Sequence, residues 1–372
     1  LHLSLRRQRQ MCIRDRAILG MPPFGVPQSE KERLLLPYLS LLTEKHRECC
    51  PEYGRVLKIL GYSREKAGKI EKLEQIPMIP VSLFKGGGLK SVPALEIFKT
   101  VQSSGTTGQM RSEIVLDKNT AADQQKTLSA VAGDFIGRGR FPLLIVDSPE
   151  VLKNRELFSA RGAGILGFSI FGTERFYALN SDMSLNLDGI QEFLERHRGE
   201  PVLLFGFTFM IWKYFYQALY RGKMRLEIEN GCLIHGGGWK KLKNEAVTEQ
   251  EFKEALKRQT GIGRVHNYYG MAEQTGSIYM ECECGHLHAA SYSEVITRRS
   301  LDFSVCDIGE KGLLQVISPA AQSYPGHSLL TEDEGIILGI DDCPCKRKGK
   351  YFKVTGRTAG AEIRGCSDTY EN

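Results

Sequence analysis

Within residues 127–207 the apolar pattern alternates between two periods, and few architectures accept that alternation. Thr127 to Phe135 has helical spacing, and Phe141-Pro142-Leu143-Leu144-Ile145-Val146-Asp147 is a continuous apolar run of strand length. Leu187 to Arg198 is helical again, and Pro201-Val202-Leu203-Leu204-Phe205 repeats the strand signal. Buried strands separated by helices predict an α/β layered fold. Upstream, residues 26–75 are rich in Leu, Glu, Lys and Arg at helical spacing, as in Lys31-Glu32-Arg33-Leu34-Leu35-Leu36, and predict a helical N-terminal region. Ile79-Pro80-Val81 and Ile97-Phe98-Lys99-Thr100-Val101 follow as short β-prone runs. Pro201 to Tyr220 is apolar over a membrane-spanning length, but Lys213 and the central Gly206-Phe207-Thr208 favour a buried strand followed by an amphipathic helix. No membrane span is therefore expected.

At 372 residues and 41% apolar content the chain can form one large domain or two smaller ones. Its formal charge of +6 gives little support to a nucleic-acid partner, because residues 1–16 carry five Arg and one Asp and so hold +4 of it. That opening, Ser4 to Arg16, resembles translated adapter sequence and has neither an apolar core nor a small-residue cleavage site. It is set aside as non-native, with Met21 as a candidate start. The ten cysteines, in a long chain with CxC pairs beside His, favour a reducing, cytoplasmic setting with metal ligands or a reactive thiol over disulfides.

The segment Gln102-Ser103-Ser104-Gly105-Thr106-Thr107-Gly108-Gln109 can wrap a polyphosphate. Glycine lets the backbone approach the oxygens, and the hydroxyls add donors without charge. A Walker loop would carry Lys at its end, and this one does not. By itself such a loop is more often a surface turn. Three later segments change that reading: His266-Asn267-Tyr268-Tyr269-Gly270-Met271-Ala272-Glu273, Leu330-Thr331-Glu332-Asp333-Glu334-Gly335, and Gly356-Arg357-Thr358-Ala359-Gly360-Ala361-Glu362-Ile363-Arg364-Gly365.

Together the four resemble, in order, the phosphate loop, Tyr-Gly-x-Thr-Glu segment, Thr-Gly-Asp ribose motif and hinge motif of the adenylate-forming superfamily. Ala272 stands where threonine is usual, and Glu332 where glycine is usual. Within that superfamily the chain is most similar to LuxE-type acyl-protein synthetases, with phenylacetate-CoA ligases as nearer cousins than long acyl-CoA synthetases. Ile234-His235-Gly236-Gly237-Gly238-Trp239-Lys240-Lys241 resembles the Gly-Gly-Trp-Lys segment of that family, and Cys366 lies near the end of the sequence, where LuxE-type enzymes carry their acyl group.

The resemblance implies ATP and Mg²⁺ as cofactors and a carboxylic acid, fatty by kinship, as substrate. Ser103, Ser104, Gly105, Thr106, Thr107 and Gly108 would hold the β- and γ-phosphates, and Glu273 would bind Mg²⁺ beside the α-phosphate. Tyr269, or in second place Tyr268, would lie against adenine, with Gly236, Gly237 and Gly238 as the opposite wall. Asp333 would accept from the ribose hydroxyls with help from Arg357. Cys366 would take the acyl group from the adenylate and hand it to a partner, an acyl reductase in LuxE systems. A ligase that loads CoA or a carrier-protein thiol is the first alternative, and an inactive scaffold with the same fold is the second.

The residues also point to a metal. Cys282-Glu283-Cys284-Gly285-His286-Leu287-His288 and Cys343-Pro344-Cys345 offer Cys282, Cys284, Cys343 and Cys345 as a closed tetrahedral Zn²⁺ site, with His286 or His288 able to replace one thiol. The expected layout is a non-native segment 1–16, an acyl-activating α/β domain 17–355 with a small β-rich zinc-bound subregion, and a hinge and mobile tail 356–372 carrying Cys366. No full C-terminal domain is expected.

Overall fold

The leucine- and glutamate-rich opening forms two consecutive helices, Gln28–Cys49 and Pro51–Ile59. Pro51 starts the second, a position whose N–H has no partner within the helix in any case. The computed structural model describes residues 18–63, 65, 68–102, 111–153, 160–239 and 246–358. Contacts divide them into two units: a first made of residues up to 102, 111–132 and 270–358, and a second made of the described residues of 133–269.

In the first unit, β1 (Ile79–Pro80) precedes a two-stranded antiparallel pair, β2 (Lys99–Gln102) and β3 (Glu113–Leu116). Gln102 lies opposite Glu113, so the Ser/Thr/Gly loop joins the two strands of a hairpin. Residues 103–110 themselves lie outside the described residues. Helix Lys118–Ile136 follows.

The second unit carries the predicted alternation. Five parallel strands, β4 (Phe141–Val146), β5 (Gly172–Tyr177), β6 (Leu203–Phe207), β7 (Cys232–Gly236) and β8 (Arg264–Tyr269), lie in the order β5-β4-β6-β7-β8. The chain runs outward from β4 to β5, then jumps back across β4 and proceeds the other way. Right-handed crossovers therefore put helices on both faces. Helix Ala160–Phe168 sends Phe168 to stack on Phe205 at 4.5 Å. The other side is a core in which Leu144, Val146, Leu204, Leu233 and Val265 meet Ile190 and Phe193 from helix Leu187–Arg196 and Phe252 and Leu256 from helix Glu249–Thr260. That last helix is framed by its sequence: Thr248 and Glu251 form a reciprocal capping box, and Gly261 ends it at φ +76°. As expected, the apolar stretch after Pro201 is β6 followed by a helix, which passes through a π-helical segment, Ile211–Tyr216. Among the described residues no helix is long and apolar enough to cross a membrane.

After β8 the chain re-enters the first unit and becomes antiparallel. Its strands are β9 (Tyr279–Glu281), β10 (Leu287–His288), β11 (Glu294–Arg298), β12 (Lys311–Ile317), β13 (Ser328–Ile340) and β14 (Lys350–Arg357). They lie in the order β11-β12-β13-β14-β10-β9, with β1 parallel to the start of β13. Helix Gln28–Cys49 is pinned to this sheet by buried charge. Lys31 Nζ sits 3.2 Å from Glu294 Oε2, with both side chains wholly buried, and Gln28 Nε2 donates to the same oxygen at 2.6 Å.

Candidate active site and metal centre

Strand pairing in the first unit joins the segments expected to serve as ribose and hinge motifs. Asp333 on β13 is directly opposite Arg357 on β14. Arg357 Nε is 3.0 Å from Asp333 Oδ1, and Nη2 is 3.1 Å from Glu332 Oε2. The Asp333 N–H donates to Thr331 Oγ1 at 3.1 Å, and Thr358 N–H donates to the Glu332 carbonyl at 3.0 Å. Glu332, standing where the superfamily has glycine, thus fits by pairing with the arginine. These side chains are 33%, 19% and 25% exposed for Arg357, Asp333 and Glu332, so the pairs are worth at most about 1 kcal/mol and can yield to a ligand's hydroxyls. Glu273, by contrast, is buried in the short turn Ala272–Gln274. Gln274 Nε2 ties that turn to the carbonyls of Val316 (3.1 Å) and Gly326 (2.8 Å). A Cβ on Gly326 would come within 2.9 Å of the Glu273 carbonyl oxygen, so glycine permits the approach.

In the second unit the parallel strands end together. Ligands of open α/β sheets bind beyond the carboxyl ends of the strands, where the order reverses, and here that point is between β4 and β6. Beyond β4, Asp147 holds Arg161 in a buried bidentate pair (2.8 and 3.0 Å), and burial raises the Asp147 pKa against the pull of Arg161. Beyond β7 comes the triple glycine. A Cβ on Gly236 would lie 2.5–2.9 Å from three ring atoms of Tyr268. Tyr268, which the sequence reading put second to Tyr269, is therefore the ring that packs on Gly236, and it also stacks on Phe205 and tilts against Phe168. Tyr269 is the next residue along β8 and its side chain points to the opposite face. Gly237 takes φ +74°, and among the described residues nothing lies within 4 Å of where a Cβ on Gly238 would be.

Two turns of the first unit bring thiols together. Cys282 and Cys343 each open a turn whose fourth residue donates back to the cysteine carbonyl at 2.9 Å, and those fourth residues, Gly285 and Lys346, are left-handed at φ +75° and +67°. Ligand atoms of Cys282, His288, Cys343 and Cys345 all lie within 4.8 Å of one another. Cys282 Sγ to Cys343 Sγ is 3.9 Å, and Cys345 Sγ to His288 Nε2 is 3.4 Å. Around a tetrahedral ion with metal–S of about 2.3 Å and metal–N of about 2.0–2.1 Å, those edges would be about 3.8 and 3.5 Å. The donor set thus fits Zn²⁺. Burial pushes the Cys282 thiol up to about 11 and the Cys343 thiol up as well. Cys284 is not in the cluster: it is exposed at the tip of the Gly285 turn, and His288 takes the fourth place. His286 Nδ1 lies 3.4 Å from Cys343 Sγ, and both imidazoles stack on Tyr351.

Ser103, Ser104, Gly105, Thr106, Thr107 and Gly108, as well as Cys366, lie outside the described residues. The described residues do hold groups that motif reading missed, Thr208 and His235 beside the triple glycine and the Asp147–Arg161 pair.

The protein-family profile "Acyl-protein synthetase, LuxE" matches residues 7–372. A long-chain-fatty-acid–luciferin-component ligase of Aliivibrio fischeri is 23% identical over 318 residues, 82% of this chain and 80% of that protein. Its counterpart from Vibrio harveyi is 22% identical over 368 residues, 92% and 90% of the two chains. Among solved structures, an open conformation of 2-hydroxyisobutyryl-CoA ligase in complex with 2-HIB-AMP and CoA superimposes with a TM-score of 0.68 at 16% identity, over 90% of this chain and 76% of that one. That likeness is one of fold. With the family profile spanning nearly its whole length, the chain belongs to the LuxE family of acyl-protein synthetases.

Proposed function

We propose that this protein activates a carboxylic acid, a long-chain fatty acid by its kinship, with ATP, and passes the acyl group to its own Cys366. The observation that carries the reading is the family match along residues 7–372. The pairing of Asp333 with Arg357 and the buried carboxylate of Glu273 support it.

The chemistry needs two anions brought together. A carboxylate oxygen attacks the α-phosphorus, the bond to the bridging oxygen breaks, and pyrophosphate leaves. Ser103 to Gly108 would hold the departing phosphates by N–H and hydroxyl donors, and Asp333 would orient the ribose. Mg²⁺, when bound, neutralises charge on the phosphates, and an oxygen donor such as Glu273 suits it. The Cys366 thiolate then attacks the acyl carbonyl, AMP leaves, and the thiol proton passes to solvent. The thioester is handed on, an acyl reductase being the acceptor proposed from the family. Zn²⁺ held by Cys282, His288, Cys343 and Cys345 would have a structural role, tying the turn after β9 to the turn before β14. The free thiols suit a reducing cytoplasm.

The test is incubation with ATP, Mg²⁺ and a panel of labelled carboxylic acids, followed by a denaturing gel. Parent protein should retain label that neutral hydroxylamine releases, and Cys366→Ser should not. Label retained equally by Cys366→Ser, or found only on added CoA, would replace this reading with a CoA or carrier-protein ligase.

A further inference from the structure

The second unit contains a polar relay aimed at the triple glycine. The register of β6 on β7 sets Phe207 beside Gly236, which puts Thr208 next to Gly237. Thr208 Oγ1 lies 2.8 Å from the Gly237 carbonyl, 3.2 Å from the Gly236 carbonyl and 2.9 Å from His235 Nδ1. A hydroxyl has one proton to give, and carbonyls can only accept. Thr208 therefore donates to Gly237, and His235 Nδ1–H donates to Thr208. The imidazole is 2% exposed and pushed down to about 3 by burial, so it is neutral, with its single proton on Nδ1. Among the described residues its Nε2 is buried with no hydrogen-bond partner, which leaves Nδ1 as the ring's polar attachment.

In a trans peptide the C=O and the next N–H point in opposite directions. Drawing the Gly237 carbonyl toward Thr208 turns the Gly238 N–H the other way, at a residue where none of the described residues comes within 4 Å of where its Cβ would be. We propose that His235 and Thr208 are positioning residues that lock the Gly237–Gly238 peptide so that the Gly238 N–H faces the nucleotide. The inference rests on the reading that the triple glycine forms part of an ATP site. It adds two side chains to that site that touch no ligand and act through the backbone.

Direct titration of ATP into the full-length protein tests it. Thr208→Val keeps the shape and removes the hydroxyl, and His235→Leu removes the donor. Each should weaken ATP binding roughly five- to tenfold, the scale of one lost hydrogen bond with its carbonyl left unsatisfied. Thr208→Ser, and His235→Asn, whose amide N–H falls near the place of Nδ1–H, should bind within about twofold of the parent. A purely structural role would lower thermal stability without that ordering of affinities. If Thr208→Val does not fold, the His235→Leu and His235→Asn pair decides. Unchanged affinity in Thr208→Val or His235→Leu, or no rescue by Asn and Ser, overturns the relay while leaving the nucleotide site standing. Parent protein that binds no ATP overturns the nucleotide reading itself, and the relay with it.

Discussion

Replacing Glu294 by Gln keeps its volume and removes the one negative charge at the centre of a buried cluster. Lys31 sits 3.2 Å and Lys350 3.5 Å from its carboxylate, and Lys31 and Glu294 have no exposed side-chain surface. In the variant, Lys31 keeps the Ser293 carbonyl at 3.1 Å but loses its counter-charge. Leaving one member of a buried pair uncompensated costs roughly 3–5 kcal/mol. Titration gives a second route to the magnitude. Burial alone would raise the Glu294 pKa, but Lys31, Lys350, Gln28 and the Val295 N–H together hold it at about 2 against an ordinary 4.5. At 1.36 kcal/mol per pKa unit, that depression is worth about 3 kcal/mol. Because the folded pKa lies below the unfolded one, the contribution is complete above pH 4.5 and disappears as pH falls toward 2.

Lys31→Met should cost roughly half as much as Glu294→Gln, because Glu294 would keep Lys350, Gln28 Nε2 at 2.6 Å and the Val295 N–H at 2.9 Å. Urea unfolding of the three proteins at pH 7, repeated at pH 3, measures both effects. The parent and Glu294→Gln should differ by about 3 kcal/mol or more at pH 7 and by less than half as much at pH 3, which is still above the folded pKa. A difference below about 1 kcal/mol at pH 7, or a larger loss in Lys31→Met than in Glu294→Gln, would refute this account of how the N-terminal helix is held.

Purified protein should carry about one equivalent of Zn²⁺ by metal analysis, and Cys345→Ser or His288→Ala should lose it and lower the melting temperature, whereas Cys284→Ser should keep it. Gly236→Ala should destabilise the protein by about 1–3 kcal/mol in urea, because the new methyl meets the Tyr268 ring, and the pair Gly236→Ala with Tyr268→Ala should recover part of that loss. Burial holds His46 well below its usual range and His327 at about 3, stacked 5.0 Å apart. The unfolded chain binds those two protons near pH 6.5 and the folded one does not, so these two alone should lower stability by about 2–3 kcal/mol per pH unit below that point, and His235, likewise held at about 3 by burial, steepens the fall. A flat urea midpoint between pH 7 and 5, a window above the titration of Glu294, would count against it.

Much of the second unit was legible because its central strands β4, β6 and β7 are buried on both faces, and β4 and β6 read as continuous apolar runs, as in Leu143-Leu144-Ile145-Val146. Strand β13 was not, since Thr331-Glu332-Asp333-Glu334 has little strand propensity and is held by β12 and β14 on either side. Arg357 closes β14, and the rest of the segment expected as the hinge, from Ala359 on, lies outside the described residues. In the metal centre the cysteine count pointed to four thiols. Gly285 reverses the chain at Cys284 and turns it outward, while the alternation His286-Leu287-His288 was the available signal for a histidine ligand. The Thr208–His235 contact joins residues 27 apart and is set by the parallel register of β6 on β7, which no local pattern encodes.

The claim that this protein joins a carboxylic acid to AMP is tested most directly by carboxylate-dependent exchange of labelled pyrophosphate into ATP. The account predicts exchange with at least one fatty acid, strongly reduced in Glu273→Gln and nearly intact in Cys366→Ser, because acyl capture follows the step that the assay reads. Absence of exchange with every acid from acetate to palmitate and with common aromatic acids, from protein that is folded and carries its metal, would contradict it.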